Sequence, residues 1–184
     1  RRAPALRVPG VRAGECINRL LAAGRTASQD YLAYWRSDDR FAAMEVKESW
    51  STVQPFAKLL VKIKPEIIRM NHPAIRPLAG RAPAVDAATL KRWLDSGLDD
   101  EGRPVVTLDT RNAFEVDVGT FRHAIDWRIG QFTEFPPAVL DHRVEFAGQI
   151  VVGCCPGGIP CAKAGLDLQD ARAKHVLQPR CRAR

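Results

Sequence analysis

Between Gln149 and Gln178 the chain leaves itself few ways to fold. Gln149-Ile150-Val151-Val152-Gly153-Cys154 is a short, continuous apolar run, the pattern of a strand buried on both faces. Cys155-Pro156-Gly157-Gly158-Ile159-Pro160-Cys161 then breaks it with two glycines and two prolines. A helix fits from about Cys161 to Ala171, and Lys174-His175-Val176-Leu177-Gln178 reads as the next strand. Strand, helix and strand at this spacing make a βαβ unit, which calls for a mostly parallel sheet with flanking helices. Upstream, Pro104-Val105-Val106-Thr107-Leu108-Asp109 supplies another buried strand. Asp86 can cap a helix through Leu94, with Gly97 as its stop.

The first third follows a different pattern. Tyr31, Leu32, Tyr34 and Trp35 recur at helical spacing until Ser37-Asp38-Asp39-Arg40 ends the run. Met44–Trp50 alternates apolar and polar side chains, as does Leu59–Lys64 before Pro65, so each is expected to be a half-buried strand. Helix, strand, loop, strand is half of a ferredoxin-like α+β sandwich. Its preceding strand is expected within residues 1–22, where no clean alternation marks it. Pro73, Pro77, Gly80 and Pro83 punctuate a linker. The expected organisation is a partial α+β domain over residues 1–70, a linker over 71–83 and an α/β domain over 84–184.

Charge is unevenly spread along this plan. The net charge of +7 in 184 residues suggests a polyanionic partner. Residues 1–14 hold four Arg and no acid, and residues 171–184 hold four Arg, one Lys and no acid. Between them, residues 15–81 carry 11 basic and 7 acidic side chains, and residues 82–170 carry 8 and 14. The terminal charge also reads as solvated tails with no partner. Lys58, Lys62, Lys64, Arg69, Arg76 and Arg81, with Glu66 the one acid among them, form a candidate phosphate-contacting stretch. Lys62 and Lys64 fall on one strand face; a plain solvated face is the competing reading. No apolar run nears the roughly 18 residues of a membrane span, and Arg1–Arg7 has no apolar core of a secretory signal. Arg1 is not expected to be a natural first residue.

Five cysteines, three of them within eight residues, suit a site better than a disulfide framework, which points to a reducing, cytoplasmic setting. The loop after Cys154 occupies the place where open α/β sheets bind ligands, outside the carboxyl ends of strands. Gly157 and Gly158 let the backbone curl so that N–H groups face inward at a helix start. A thiol at Cys155 would have its thiolate favoured there. Such a loop could hold a thiolate, a persulfide or a phosphate oxygen. Buried, inert cysteines are the alternative, and Cys154 is expected to be core. Zinc needs four ligands; the nearest histidine is His175 and no second cysteine pair exists, so no metal is expected. Cys16 and Cys181 carry no argument.

The chain resembles the tRNA uridine hydroxylase family, bacterial proteins that convert the wobble uridine to 5-hydroxyuridine using oxygen. The resemblance rests on Glu45–Trp50, Gln54-Pro55-Phe56, Lys64–Ile68, Leu108–Asn112, Phe114-Glu115-Val116, Gly119-Thr120-Phe121, Phe132–Pro136 and Cys155–Ala164, in order, from about residue 15 to 178. It implies an acylphosphatase- or ferredoxin-like domain followed by a rhodanese-like domain. It also implies that Cys155 is the active-site cysteine of a loop containing Gly157, Gly158, Ile159 and Cys161. Asp109 and Arg111 match a motif that supports that loop; an exposed Arg111–Glu115 ion pair is the plainer reading. Molecular oxygen as co-substrate and tRNA as partner follow from the resemblance. No flavin, haem or iron motif, other cofactor or obligate protein partner is evident.

Departures from the family accompany the matches. Its loop has Thr and Arg where this chain has Pro156 and Pro160. Each proline removes an N–H from the cradle, and the missing Arg removes a cation. Arg19 and Leu20 stand where glycine and threonine follow the family's Glu-Gly-Ile-Asn, and Cys16 replaces another glycine. The family's first strand and helix and its last helix are also lacking, so truncation at both ends is expected. Three functions remain open: wobble-uridine hydroxylation, sulfur transfer through a Cys155 persulfide, and a degenerate rhodanese-like binding module without activity.

Overall fold

The computed structural model describes residues 7–14, 16–44, 46–77, 80–154 and 159–180. The chain divides into two compact units, one ending at Ile67 and the other running Ile68–Cys181.

The first unit holds a three-stranded sheet. Strands β1 (Pro9–Arg12) and β2 (Ile17–Arg19) form a hairpin, Gly10 opposite Arg19, and β3 (Leu60–Ile63) lies parallel to β1 on its other side. Helix α1 (Arg25–Arg36) joins β2 to the long connection before β3. It attaches by polar–aromatic contact. The Arg19 guanidinium lies 4.7 Å from the Trp35 ring centre and donates to Tyr31 Oη at 3.2 Å.

Two expectations change here. The preceding strand does lie within residues 1–22, but as a hairpin that supplies two of the three strands. Its pairing partners, rather than side-chain alternation, put these residues in a sheet. Conversely, Met44–Trp50 forms no strand among its described residues. Alternation makes a strand only where a neighbour takes its N–H and C=O groups. Here the apolar Trp50 is exposed and its ring is met by the Arg25 guanidinium at 4.8 Å instead.

The second unit is a five-stranded α/β sheet in the order β4-β8-β7-β5-β6, every pairing parallel. Its strands are β4 (Ala84–Val85), β5 (Val105–Asp109), β6 (Ile125–Asp126), β7 (Ile150–Cys154) and β8 (His175–Pro179). The helices are α2 (Ala87–Ser96), α3 (Ala113–Val116), α4 (Phe135–His142) and α5 (Ile159–Asp170). As the sequence requires, Asp86 caps α2 by accepting from Ala88 N and Thr89 N, and Gly97 ends it at φ 75°.

Strand β7 runs through the middle of the core. Val151 joins Leu108 and Val176 against Phe135, Val139, Phe146, Ala164 and Leu168, whereas Ile150 and Val152 face Val85, Leu90 and Trp93. Successive residues of a strand point to opposite faces, so a run that is apolar throughout must be covered on both. Helices α4 and α5 supply one cover and α2 the other. Each fully buried aliphatic side chain of this set contributes about 1.5–3 kcal/mol.

Residues 71–77 and 80–83 contain no helix or strand, yet Ala82 among them and Met70 just before them are buried in this core. The approach of Ala82 to α5 depends on Gly165, where an added Cβ would stand 2.9 Å from that of Ala82.

Candidate functional site

The carboxyl ends of β5 and β7 lie side by side, with Asp109 in register with Cys154. Beyond Asp109 the chain enters a dense polar arrangement. Asp109 Oδ1 accepts from Arg111 N at 3.1 Å and Nε at 2.9 Å. Its Oδ2 accepts from Arg111 Nη2 and Thr120 Oγ1, both at 2.6 Å. Burial works against charge on this carboxyl, but the bonds from Arg111 and Thr120 outweigh it and hold the group below the usual carboxylate range. Its partner's pKa is raised by the same pairing.

Arg111 goes on to donate to Glu115 O at 3.3 Å and Gly119 O at 2.6 Å. One buried ion pair thereby fixes the end of β5, helix α3 and the 117–120 turn. An exposed Arg111–Glu115 ion pair is not what forms: the Asp109 side chain is wholly buried and takes the guanidinium. Glu115 instead accepts from Asn112 N at 3.3 Å, closing the first turn of α3.

Thr110 sits between these partners, completely buried. Its N–H and hydroxyl both donate to Cys154 O, at 3.3 and 3.2 Å, and its Oγ1 lies 3.8 Å from Cys161 Sγ. Cys154 is core as expected, its thiol 3.5 Å from Val152 O. Cys161 is buried in the first turn of α5. Cys155, Gly157 and Gly158 lie outside the described residues, as does the side chain of Ile159, which opens α5. Pro160 occupies the second position of that helix. In a first turn the N–H has no partner within the helix, so proline is tolerated there.

Further along α5, burial pushes the Asp167 carboxyl up to about 6, with His72 acting against the rise and Asp170 adding to it. Asp167 Oδ1 stands 4.0 Å from His72 Nε2, and its buried Oδ2 has no hydrogen-bond partner. Lys163, 1% exposed, donates to Ile68 O at 2.8 Å. Neither contact was foreseen, nor was the part of Thr110 or Thr120. Only a polar residue at a buried strand end hinted at Thr110; His72 and Asp167 lie too far apart in the chain for spacing to connect them.

A family model described as the UPF0176 acylphosphatase like domain matches residues 11–67, which contain the three-stranded sheet apart from its first two residues. Among curated proteins, the tRNA uridine(34) hydroxylase of Bordetella avium is 58% identical over 179 residues, covering 96% of this chain and 74% of its own length. This chain belongs to that family. The tRNA uridine(34) hydroxylases of Variovorax paradoxus and Delftia acidovorans are 59% and 55% identical over 90% and 96% of the chain. The chain spans 63% of the Variovorax relative's length, under two thirds, and 68% of the Delftia one.

Within this member of the tRNA uridine(34) hydroxylase family, the predicted basic residues fall into two groups. Lys58, Lys62 and Lys64 are exposed on and beside β3 in the first unit, and Arg69 is exposed in the second. Lys62 and Lys64, two apart in extended chain, share a side, and the Lys64 N–H continues the ladder to Arg12 O at 2.8 Å. No helix among the described residues is long and apolar enough to cross a membrane.

Proposed function

We propose that this chain hydroxylates the wobble uridine of tRNA at C5, giving 5-hydroxyuridine, with Cys155 essential and molecular oxygen as co-substrate. The observation that carries the reading is the identity of 55–59% over at least 90% of the chain to proteins named tRNA uridine(34) hydroxylase. The α/β unit is read as a rhodanese-like domain. Supporting this, the chain passes from β7 through residues 155–158 into α5, so Cys155 follows a buried strand end and precedes a helix start. A helix start favours a thiolate or another anion. Asp109 and Arg111 are supporting residues whose ion pair shapes the neighbouring strand end. Gly157, Gly158, Ile159 and Cys161 complete the loop. Lys58, Lys62, Lys64 and Arg69 are read as tRNA contacts, because an acidic α/β half cannot hold a polyanion by charge alone. The setting is cytoplasmic, where tRNA is found.

Nucleoside mass spectrometry of tRNA tests this in a strain that lacks its own hydroxylase and carries this gene. The reading expects 5-hydroxyuridine derivatives to return with the wild-type chain and not with Cys155→Ala. No return, or equal return with Cys155→Ala, overturns it.

The strand–loop–helix order also favours a second reading, sulfur transfer through a Cys155 persulfide. Sulfane sulfur on Cys155 after exposure to thiosulfate, with turnover in a cyanide assay, would support it. The departure at Pro160 favours a third, a degenerate module that has lost activity. A gain of hydroxylation in Pro160→Arg would show that the loop, rather than the scaffold, was impaired.

A further inference from the structure

We propose that Trp50 is a stacking platform for an unpaired base of tRNA, with the Arg25 guanidinium backing one face of its ring. This rests on the reading of tRNA as the substrate and of the first unit's lysines as its phosphate contacts. It adds to those lysines a residue that meets a base rather than the backbone.

Two guanidinium–indole pairs lie in the first unit, both with an arginine near the junction of β2 and α1. Arg19 stands 4.7 Å from the centre of the Trp35 ring. Trp35 is also packed: the Phe41 ring meets it edge-on at 4.7 Å, and the Tyr31 ring centre lies 6.3 Å away. That indole has its task inside the fold. Arg25 stands 4.8 Å from the centre of the Trp50 ring, which is 73% exposed and has no other ring contact among the described residues.

Exposed as it is, Trp50 is held in place. Just after it, Ser51 Oγ accepts from Val53 N at 3.3 Å. Gln54 Nε2 donates to Ala22 O at 3.3 Å, which pins this stretch to the β2–α1 junction. The guanidinium adds a cation–π contact to the ring itself. A side chain ordered before its ligand arrives costs less to immobilise on binding.

Charge decides the occupant. The two segments that meet here are basic: residues 16–36 carry three Arg against Asp30, and residues 46–64 carry four Lys against Glu48. A guanidinium stacks through its flat face, so its N–H donors, which radiate in the plane, stay available to a phosphate. An aromatic face beside phosphate donors in cationic surroundings suits a nucleotide whose base is unpaired. A base inside a duplex has its faces taken by its neighbours, whereas the wobble uridine lies in the single-stranded anticodon loop. Every base has a π-face, so the platform supplies affinity and placement rather than a choice of sequence.

Binding of the full chain to a fluorescein-labelled anticodon stem-loop RNA, followed by anisotropy over a series of KCl concentrations, tests this. Wild type is expected to bind with a Kd that rises steeply with salt. Trp50→Ala should raise Kd about tenfold at every salt concentration and leave the slope of log Kd against log salt unchanged, because stacking releases no counterions. Trp50→Phe keeps a π-face and should stay within about threefold of wild type. Arg25→Gln should lower the slope by about 0.7, the share of one phosphate on a single strand. Tyr34, 76% exposed but with no guanidinium on its ring, is the control, and Tyr34→Ala should leave Kd unchanged. A stem-loop with abasic loop nucleotides keeps its phosphates and loses its bases. The affinity lost on that change should be about tenfold smaller for Trp50→Ala than for wild type.

An unchanged Kd in Trp50→Ala overturns the proposal alone. The same follows from an equal abasic penalty in both proteins, or from a loss in Tyr34→Ala as large as that in Trp50→Ala. A wild-type chain that shows no salt-dependent binding to the stem-loop overturns the underlying reading and the proposal with it. Should Trp50→Ala fail to fold, Trp50→Gln takes its place in every comparison.

Discussion

The two units use similar residues to opposite ends. In the α/β unit, β7 is buried along its whole length and its neighbours fill both faces of the sheet. In the first unit Val8, Gly10 and Ala13 are the buried residues among those described; α1 buries none, and all four residues of β3 are exposed. Leu60, Val61 and Ile63 are as apolar as Val151 and Val152, but no layer of described residues covers them. A strand's composition states what it can bury. Whether it does depends on a second layer, and a sheet with one layer gains little from the hydrophobic effect.

That contrast can be broken by experiment. Phe135 is fully buried, with ring centres of Phe132 and Trp127 at 5.4 and 5.3 Å. Phe135→Ala should cost about 3–5 kcal/mol in urea denaturation followed by tryptophan fluorescence. A loss below about 1 kcal/mol would mean that this core is not packed as a core.

Asp167 sharpens the comparison within the α/β unit. Its folded carboxyl titrates at about 6 against an ordinary 3.8, so the folded state holds the proton more tightly than the unfolded chain does. The stability from this group is complete at pH below about 4 and is lost as the pH rises through 6. Asp167→Asn should therefore raise neutral-pH stability by about 1–2 kcal/mol. It should also flatten the fall between pH 4 and 6. Denaturation midpoints of the two proteins at pH 4.5 and 7.5 check this; parallel profiles would refute the assignment.

The smallest effect is the counterpart of the largest. Ile63, 81% exposed, should lose no more than about 0.5 kcal/mol on truncation to Ala. A cost approaching that of Phe135→Ala would show that the β3 face is covered in solution.

The parallel half was legible because its signals are local. An Asp cap, a stopping glycine and short apolar runs each act within a few residues, and α2, β5, β7, α5 and β8 follow from them. The two-residue strands β4 and β6 were not legible, because pairing alone defines them. Met44–Trp50 shows the converse, a local pattern with no partner to complete it. At the candidate site, the loop cysteines could be picked out from residue types, and Asp109 and Arg111 from the resemblance to the family. The direct pairing of Asp109 with Arg111 could not, since an aspartate two residues from an arginine commits neither to the other.

Residue order accordingly settles the βαβ unit, the position of the cysteine loop within it and the family to which the chain belongs. These depend on periodicity and on motifs that are read along the chain. Long-range contact settles the rest. Thr110 meets Cys161 across 51 positions, Lys163 reaches Ile68 across 95, and Asp167 stands beside His72. Such contacts exist only after the sheet has assembled and excluded water. Burial then obliges each polar group to find whatever partner the packing has brought near.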